Sequence, residues 1–267
     1  MLKEELKIQP IREILHPEIA RIEIFRSKEE TALAAAGAIA LVVEQNPTAT
    51  ITFATGNTMV PVYKELAKLV ERGEVDFSRT TAFHLDEYYP ADPDKEDFSF
   101  VRYLRELVWK PLHIGTVFEL NGLAKDGVAE AKQYDKLLRS HPVDLAILGI
   151  GPWSDKTQTG CHVAFNESGT PFDMGGHLAQ LDVTTIQRDQ VDRGQASPGM
   201  ALTQGIGNIL EARSILLVAY GEDKGQSLRQ ALTQEISPQR PASAIRMVGD
   251  KVTIFGDFAV GKVLDAH

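Results

Sequence analysis

Apolar residues along the chain fall into six short runs separated by longer amphipathic stretches. The runs lie at 20–25 (ARIEIF), 49–54 (ATITFA), 80–85 (TTAFHL), 143–149 (VDLAILG), 214–220 (SILLVAY) and 252–255 (VTIF). The fourth and fifth are almost continuously hydrophobic, the pattern of strands buried on both faces. Between the runs the period changes to that of helices. Ser27 and Glu30 have capping-box spacing ahead of an alanine-rich helix, which Pro47 bars from continuing. Residues 59–72 put Val62, Leu66 and Leu69 on one stripe, with Gly73 placed to cap the end. Segments 126–140 and 224–235 also read as helices. Strand and helix alternating in this way predict an α/β fold, with a mainly parallel open sheet and helices on both faces. With no internal repeat, low-complexity tract or linker, residues 1–267 read as a single domain. Loops at 89–97, 151–161, 168–177 and 194–200 neighbour expected strands, at the edge where open α/β sheets bind ligands.

Composition narrows the function classes. Lys+Arg 28 against Asp+Glu 37 gives a net charge of −9, which argues against nucleic acid as the main partner while leaving room for one local anion site. A lone cysteine, Cys161, excludes an internal disulfide framework and points to a reducing compartment. No run approaches the length of a membrane span, and MLKEELKIQP lacks the apolar stretch of a signal peptide. The expectation is a soluble, cytoplasmic protein without a membrane partner.

Four segments carry residues suited to chemistry. Thr55-Gly56-Asn57-Thr58 joins a strand to a helix, where glycine permits a tight turn and free N–H groups suit a phosphate. Asp86 and Glu87 end a strand at the expected crevice, where partial desolvation adapts a carboxylate to general-base work. Gly149-Ile150-Gly151 is followed after ten residues by His162-Val163-Ala164-Phe165-Asn166-Glu167, an imidazole with a carboxylate nearby. Lys224 opens a helix, a poor place for a cation unless an anion sits there. Each segment alone also has a plain structural reading, as a cap, a solvated turn, a packed histidine or a surface lysine. Cys161 beside His162 reads as packing, because neighbours in extended chain point to opposite sides.

Taken in order, TGNT, LDEYY, GIG…HVAFNE, GEDK and PASAI resemble the glucosamine-6-phosphate deaminases (isomerases), relatives of the 6-phosphogluconolactonases, from about residue 20 to 258. The lactonases usually follow their histidine with Ala-Ser-Leu-Phe, whereas His162 precedes AFNE. The resemblance implies a Rossmann-like fold and an enzyme that isomerises and hydrolytically deaminates an amino-hexose 6-phosphate, glucosamine 6-phosphate or an epimer. It implies that His162, supported by Glu167, opens the sugar ring and that Asp86 moves a proton between C2 and C1. Thr55, Gly56, Asn57, Thr58 and Lys224 would bind the phosphate, and neither a metal nor an organic cofactor is called for. The partner is a small sugar phosphate, and both monomers and homo-oligomers are compatible with it.

The chain also departs from the family pattern. Ten residues, Pro152 to Cys161, fill a gap that usually holds three, and the acid expected just before the histidine is missing. Asp155 is the candidate replacement within the insertion. The phosphate turn reads TGNTM rather than TGSTP, and residues 168–200 lack the usual arginine signature, leaving Arg188 or Arg193 as stand-ins. These departures favour an altered amino-sugar phosphate and keep two alternatives open: a lactone hydrolase and a non-catalytic phosphosugar-binding protein.

Overall fold

The computed structural model describes residues 8–193 and 197–265, apart from the side chains at 188, 189, 192 and 193. The strands β1 (Arg12–Glu13) and β2 (Arg21–Ile24) lead into α1 (Lys28–Gln45), β3 (Thr50–Phe53), α2 (Met59–Glu71) and β4 (Thr81–His84). After Leu85 the chain continues as β5 (Asp86–Tyr89), α3 (Phe100–Leu104) with a π-helical turn over Arg105–Trp109, and β6 (Thr116–Val117). Next come α4 (Gly127–Ser140), β7 (Leu145–Leu148), β8 (Trp153–Ser154), β9 (Thr159–Gly160), β10 (His177–Gln180), α5 (Val183–Arg193) and β11 (Met200–Thr203). The last part holds α6 (Ile206–Glu211), β12 (Ser214–Ala219), α7 (Gly221–Thr233), a 3-10 segment Pro241–Lys251, β13 (Val252–Gly256) and α8 (Phe258–Asp265).

The expected sheet is present, in the order β1-β2-β13-β12-β7-β3-β4-β6, and parallel throughout except for the short β1 edge. From β3 the chain winds outward through β4 to β6, whereas from β7 it winds the other way through β12 to β13. The crossovers therefore part between β3 and β7, which opens a crevice at the carboxyl ends of those strands. Ile51, Phe53, Ala146, Ile147 and Leu217 are wholly buried, as a sheet covered on both faces requires. Ser27 caps α1 through the Glu30 N–H, and the Glu30 carboxylate reaches back to the Arg26 N–H. At the end of α2, Gly73 (φ +66°) and Glu74 return N–H groups to the Val70 and Leu69 carbonyls, a Schellman closure. Val62, Leu66 and Leu69 are fully buried on that helix, each such side chain stabilising by about 2 kcal/mol. No helix among the described residues is long and apolar enough to cross a membrane.

Two features differ from the sequence-based expectation. DEYY is not a strand end running into a loop: it pairs antiparallel with β11, which pairs with β10, in a second sheet with its own small core around Tyr88, Phe100, Phe165 and Ala201. The segment read as a loop at 168–177 thus ends in a strand, and residues 194–196 of the loop at 194–200 lie outside the described residues. The helix expected from 224 begins at Gly221, so Lys224 sits within its first turn rather than at its start. The first difference comes from tertiary pairing, which a local pattern does not encode.

Candidate active site

A cavity of about 570 Å³ opens at the carboxyl edge of the parallel sheet, lined by Thr55, Gly56, Asn57, Thr58, Asp86, His162 and Lys224 among others. Residues far apart in sequence meet there because β3, β4, β7 and β12 all end at the same edge.

At one end lies the turn between β3 and α2. Gly56 has φ +98° with open space where a Cβ would project, and its carbonyl accepts bonds from Met59 N–H and Tyr103 Oη. Thr58 makes no side-chain cap, so its hydroxyl borders the cavity without being committed to the helix, whereas the Met59 N–H is taken by Gly56 and Pro61 brings none to the first turn. Lys224, from the first turn of α7, donates to the Ile150 carbonyl at 2.5 Å and so bridges to the Gly149–Gly151 segment.

Asp86 is 5% exposed at the start of β5, opposite Thr203 of β11. Beneath it His84 is fixed by two backbone groups: its Nδ1–H donates to the Asp86 carbonyl at 2.9 Å, and its Nε2 accepts from Leu120 N–H at 2.9 Å. Because one partner only accepts and the other only donates, the ring is the neutral Nδ1–H tautomer. Burial lowers the His84 pKa to about 4, in keeping with that assignment.

His162 is carried on a different kind of support. Its Nδ1 lies 3.3 Å from Glu167 Oε2, and the other Glu167 oxygen accepts from Thr185 Oγ1 at 2.7 Å. Burial pushes the Glu167 pKa up, but the His162 charge and the hydrogen bonds from His162, Thr185 and the Asp182 N–H outweigh it and hold the carboxyl below its usual range. The ring packs on Gly151, where a Cβ would fall 2.3 Å from Cδ2. Cys161 (φ +57°) and Ala164 (φ +51°) flank it in the left-handed region, a strain of order 1 kcal/mol each that the surrounding contacts hold in place. Cys161 is packing: its buried thiol donates to the Ser227 carbonyl and is pushed up to about 12.

Gln204 ties the two supports together. Its N–H bonds Leu85 O at 2.7 Å and its amide reaches Thr52 and the His84 carbonyl, while its own carbonyl accepts from Asn166 of the HVAFNE turn. The adjacent Thr203 hydroxyl accepts from Phe165 N–H at 3.2 Å.

The remaining candidates fall elsewhere. Glu87 is turned away from the cavity, as alternation along β5 requires, and its carboxylate accepts from Ser99 Oγ and from the N–H groups of Tyr88, Phe100 and Val101. It caps α3, which the sequence does not reveal. The insertion is a closed hairpin of β8 and β9, clamped at its base by Gly151 N–H to His162 O (2.7 Å) and Cys161 N–H to Pro152 O (2.9 Å). Asp155 sits exposed at its tip and accepts from Trp153 Nε1, so the structure brings Glu167 rather than Asp155 to the imidazole. Arg188 and Arg193 belong to α5, and their side chains lie outside the described residues. Thr185, Gln204 and His84 escape notice in the sequence, because each role depends on a partner over a dozen residues away (Glu167, Thr52 and Leu120), which no local pattern marks.

Comparison with known proteins gives this arrangement a context. Residues 26–154 match the model of the glucosamine-6-phosphate isomerases/6-phosphogluconolactonases. The chain is 36% identical over 214 residues to a glucosamine-6-phosphate deaminase of Streptococcus pneumoniae, covering 79% of this chain and 86% of that one. It is 32% identical over 219 residues to the deaminase of Streptococcus suis, covering 81% and 88%. Among solved structures, a monomeric glucosamine-6-phosphate deaminase superposes with a TM-score of 0.82 at 30% identity, over 91% of this chain and 99% of that one. A 6-phosphogluconolactonase from Shewanella baltica, at 19% identity and a TM-score of 0.69, shares the fold. On sequence and architecture together, the chain belongs to the glucosamine-6-phosphate deaminase/isomerase family of enzymes.

Proposed function

We propose that the protein isomerises and deaminates an amino-hexose 6-phosphate, consuming water and yielding a ketohexose 6-phosphate and ammonia. One observation carries this reading: the phosphate-type turn, Lys224, the buried Asp86 and His162 all border one cavity, with Glu167 behind the imidazole at 3.3 Å. The turn and the Lys224 ammonium hold the phosphate, and that binding energy orients the far end of the sugar. His162, oriented by ionised Glu167, takes the proton from O1 and delivers one to O5, opening the ring. Asp86 then removes the C2 proton while O1 takes one from the substrate's own ammonium, giving an enolamine, and Asp86 returns its proton to C1. Water adds to the resulting C2 iminium and ammonia leaves, with the ketone left at C2. The shielded setting of Asp86 suits a carboxylate that must take a proton from carbon. We place the reaction in a single domain, in the cytoplasm, with no cofactor.

Ammonia release measured across glucosamine, galactosamine and mannosamine 6-phosphates tests the proposal and identifies the epimer. Asp86→Asn is expected to lower the rate about 10³-fold, the range of a lost general base, without loss of folding. Hydrolysis of a phosphosugar lactone without ammonia release would move the protein to the lactonase reading. Ligand-induced stabilisation with no turnover of any substrate would make it a binding protein.

A further inference from the structure

A phosphate monoester is close to a dianion at neutral pH, yet the sequence supplied one cation, Lys224, for its end of the cavity. The same cavity is also lined by Lys28. Lys28 is the first residue of α1, directly after the Ser27 cap, where a positive side chain opposes the macrodipole just as Lys224 does on α7. The starts of α1, α2 and α7 all follow strands that end at the carboxyl edge of the sheet, and Lys28, Thr58 and Gly221 each border the cavity. Three helix N-termini and two lysines thus border the same cavity. The Lys28 ammonium lies 5.5 Å from the centroid of the Tyr220 ring, the residue that leads into α7, and forms no salt bridge among the described residues. Glu222 and Asp223, at the start of α7, also border the cavity, and their charge would repel a lone dianion met by Lys224 alone.

We propose that Lys28 is a second cationic ligand of the substrate's phosphate, held ready on the face of Tyr220 at the mouth of the cavity. The proposal rests on the phosphosugar reading above and extends it to a residue outside the motifs TGNT, LDEYY, GIG…HVAFNE, GEDK and PASAI. A flexible ammonium reaching in from the rim complements the fixed Lys224, and together they bring two positive charges to a group carrying nearly two negative ones.

The test is calorimetric titration of inorganic phosphate into the intact protein and its Lys28→Gln and Lys28→Arg variants. Lys28→Gln is expected to weaken phosphate binding about tenfold, and Lys28→Arg to recover most of that loss. Because a cation at a helix start is unfavourable, Lys28→Gln should melt at the same temperature as the parent or higher, which separates lost affinity from lost folding. Equal phosphate affinity in parent and Lys28→Gln overturns the proposal, as does a loss that arginine fails to recover or a parent that binds no phosphate. Ammonia release assayed alongside separates the two readings. Weakened phosphate binding without any ammonia from the parent keeps Lys28 and removes the deaminase. Ammonia release with the same KM in parent and Lys28→Gln keeps the deaminase and removes Lys28.

Discussion

The two halves of the cavity are built differently. Asp86 and the Thr55–Thr58 turn grow directly from the ends of parallel strands β4 and β3, with His84 and Gln204 bonded into the backbone beneath them. His162 stands instead on an irregular turn, propped on Gly151, strained on both sides and steadied by Glu167, which itself leans on Thr185 of α5. The strand-borne half has its geometry set by sheet hydrogen bonds that persist whatever the side chains do. The imidazole half depends on single contacts. Precision in that half is therefore easier to lose by one substitution, and easier for evolution to change.

Three experiments sharpen or break this contrast. The largest effect is expected from Gly151→Ala, whose methyl would occupy the space of the His162 ring. Displacing the imidazole by about 1 Å should lower kcat roughly 10²-fold while phosphate affinity stays unchanged. Unchanged kcat would show that the ring is not held by this contact.

The strand-borne half should reveal itself in acid stability. With a folded pKa of about 4 for His84 against 6.5 unfolded, the unfolded chain binds a proton that the native state refuses. Stability from this residue is therefore complete above pH 6.5 and falls as pH drops toward 4, by about 3 kcal/mol in all. Urea midpoints of the parent and His84→Gln should differ most at pH 7 and converge toward pH 4. A gap independent of pH would refute the buried neutral imidazole.

The smallest effect is assigned to Thr185→Val, which keeps the shape and removes the hydroxyl from Glu167. One lost hydrogen bond to a carboxylate corresponds to about a tenfold fall in kcat. Because Glu167 would then be held down less firmly, the acidic limb of the pH–rate profile should also move to higher pH, whereas a merely structural role would leave that limb in place.

Legibility followed the same division. The parallel strands were readable as short apolar runs, and the α1 cap and α2 closure because each is fixed by neighbours within a few residues, as Ser27 with Glu30 and Gly73 with Val70 show. The Thr55–Thr58 turn, Asp86 and His162 could be singled out as candidates for a similar reason: each sits at a strand end or in a compact motif, and all three border one cavity. The antiparallel β5–β11–β10 sheet was not, since Thr203 meets Asp86 across more than a hundred residues. Glu87 illustrates the limit well. It stands next to Asp86 in sequence, yet strand alternation sends it to the opposite face, where four donors make it a helix cap. Lys28 was hidden differently, because the oddity that marked Lys224, a cation in the first turn of a helix, was equally visible at Lys28 and became informative only once both bordered one cavity.

The clamp at the base of the hairpin has a wider consequence. The chain departs at Gly151 and Pro152 and re-enters at Cys161 and His162, with the departing and returning residues bonded to each other. Whatever length of chain lies beyond that clamp leaves the register of the ring unaltered. This position is thus a docking port in the evolutionary sense, where segments of new length and composition can be spliced beside the His162 turn while the bonds that anchor it stay in place.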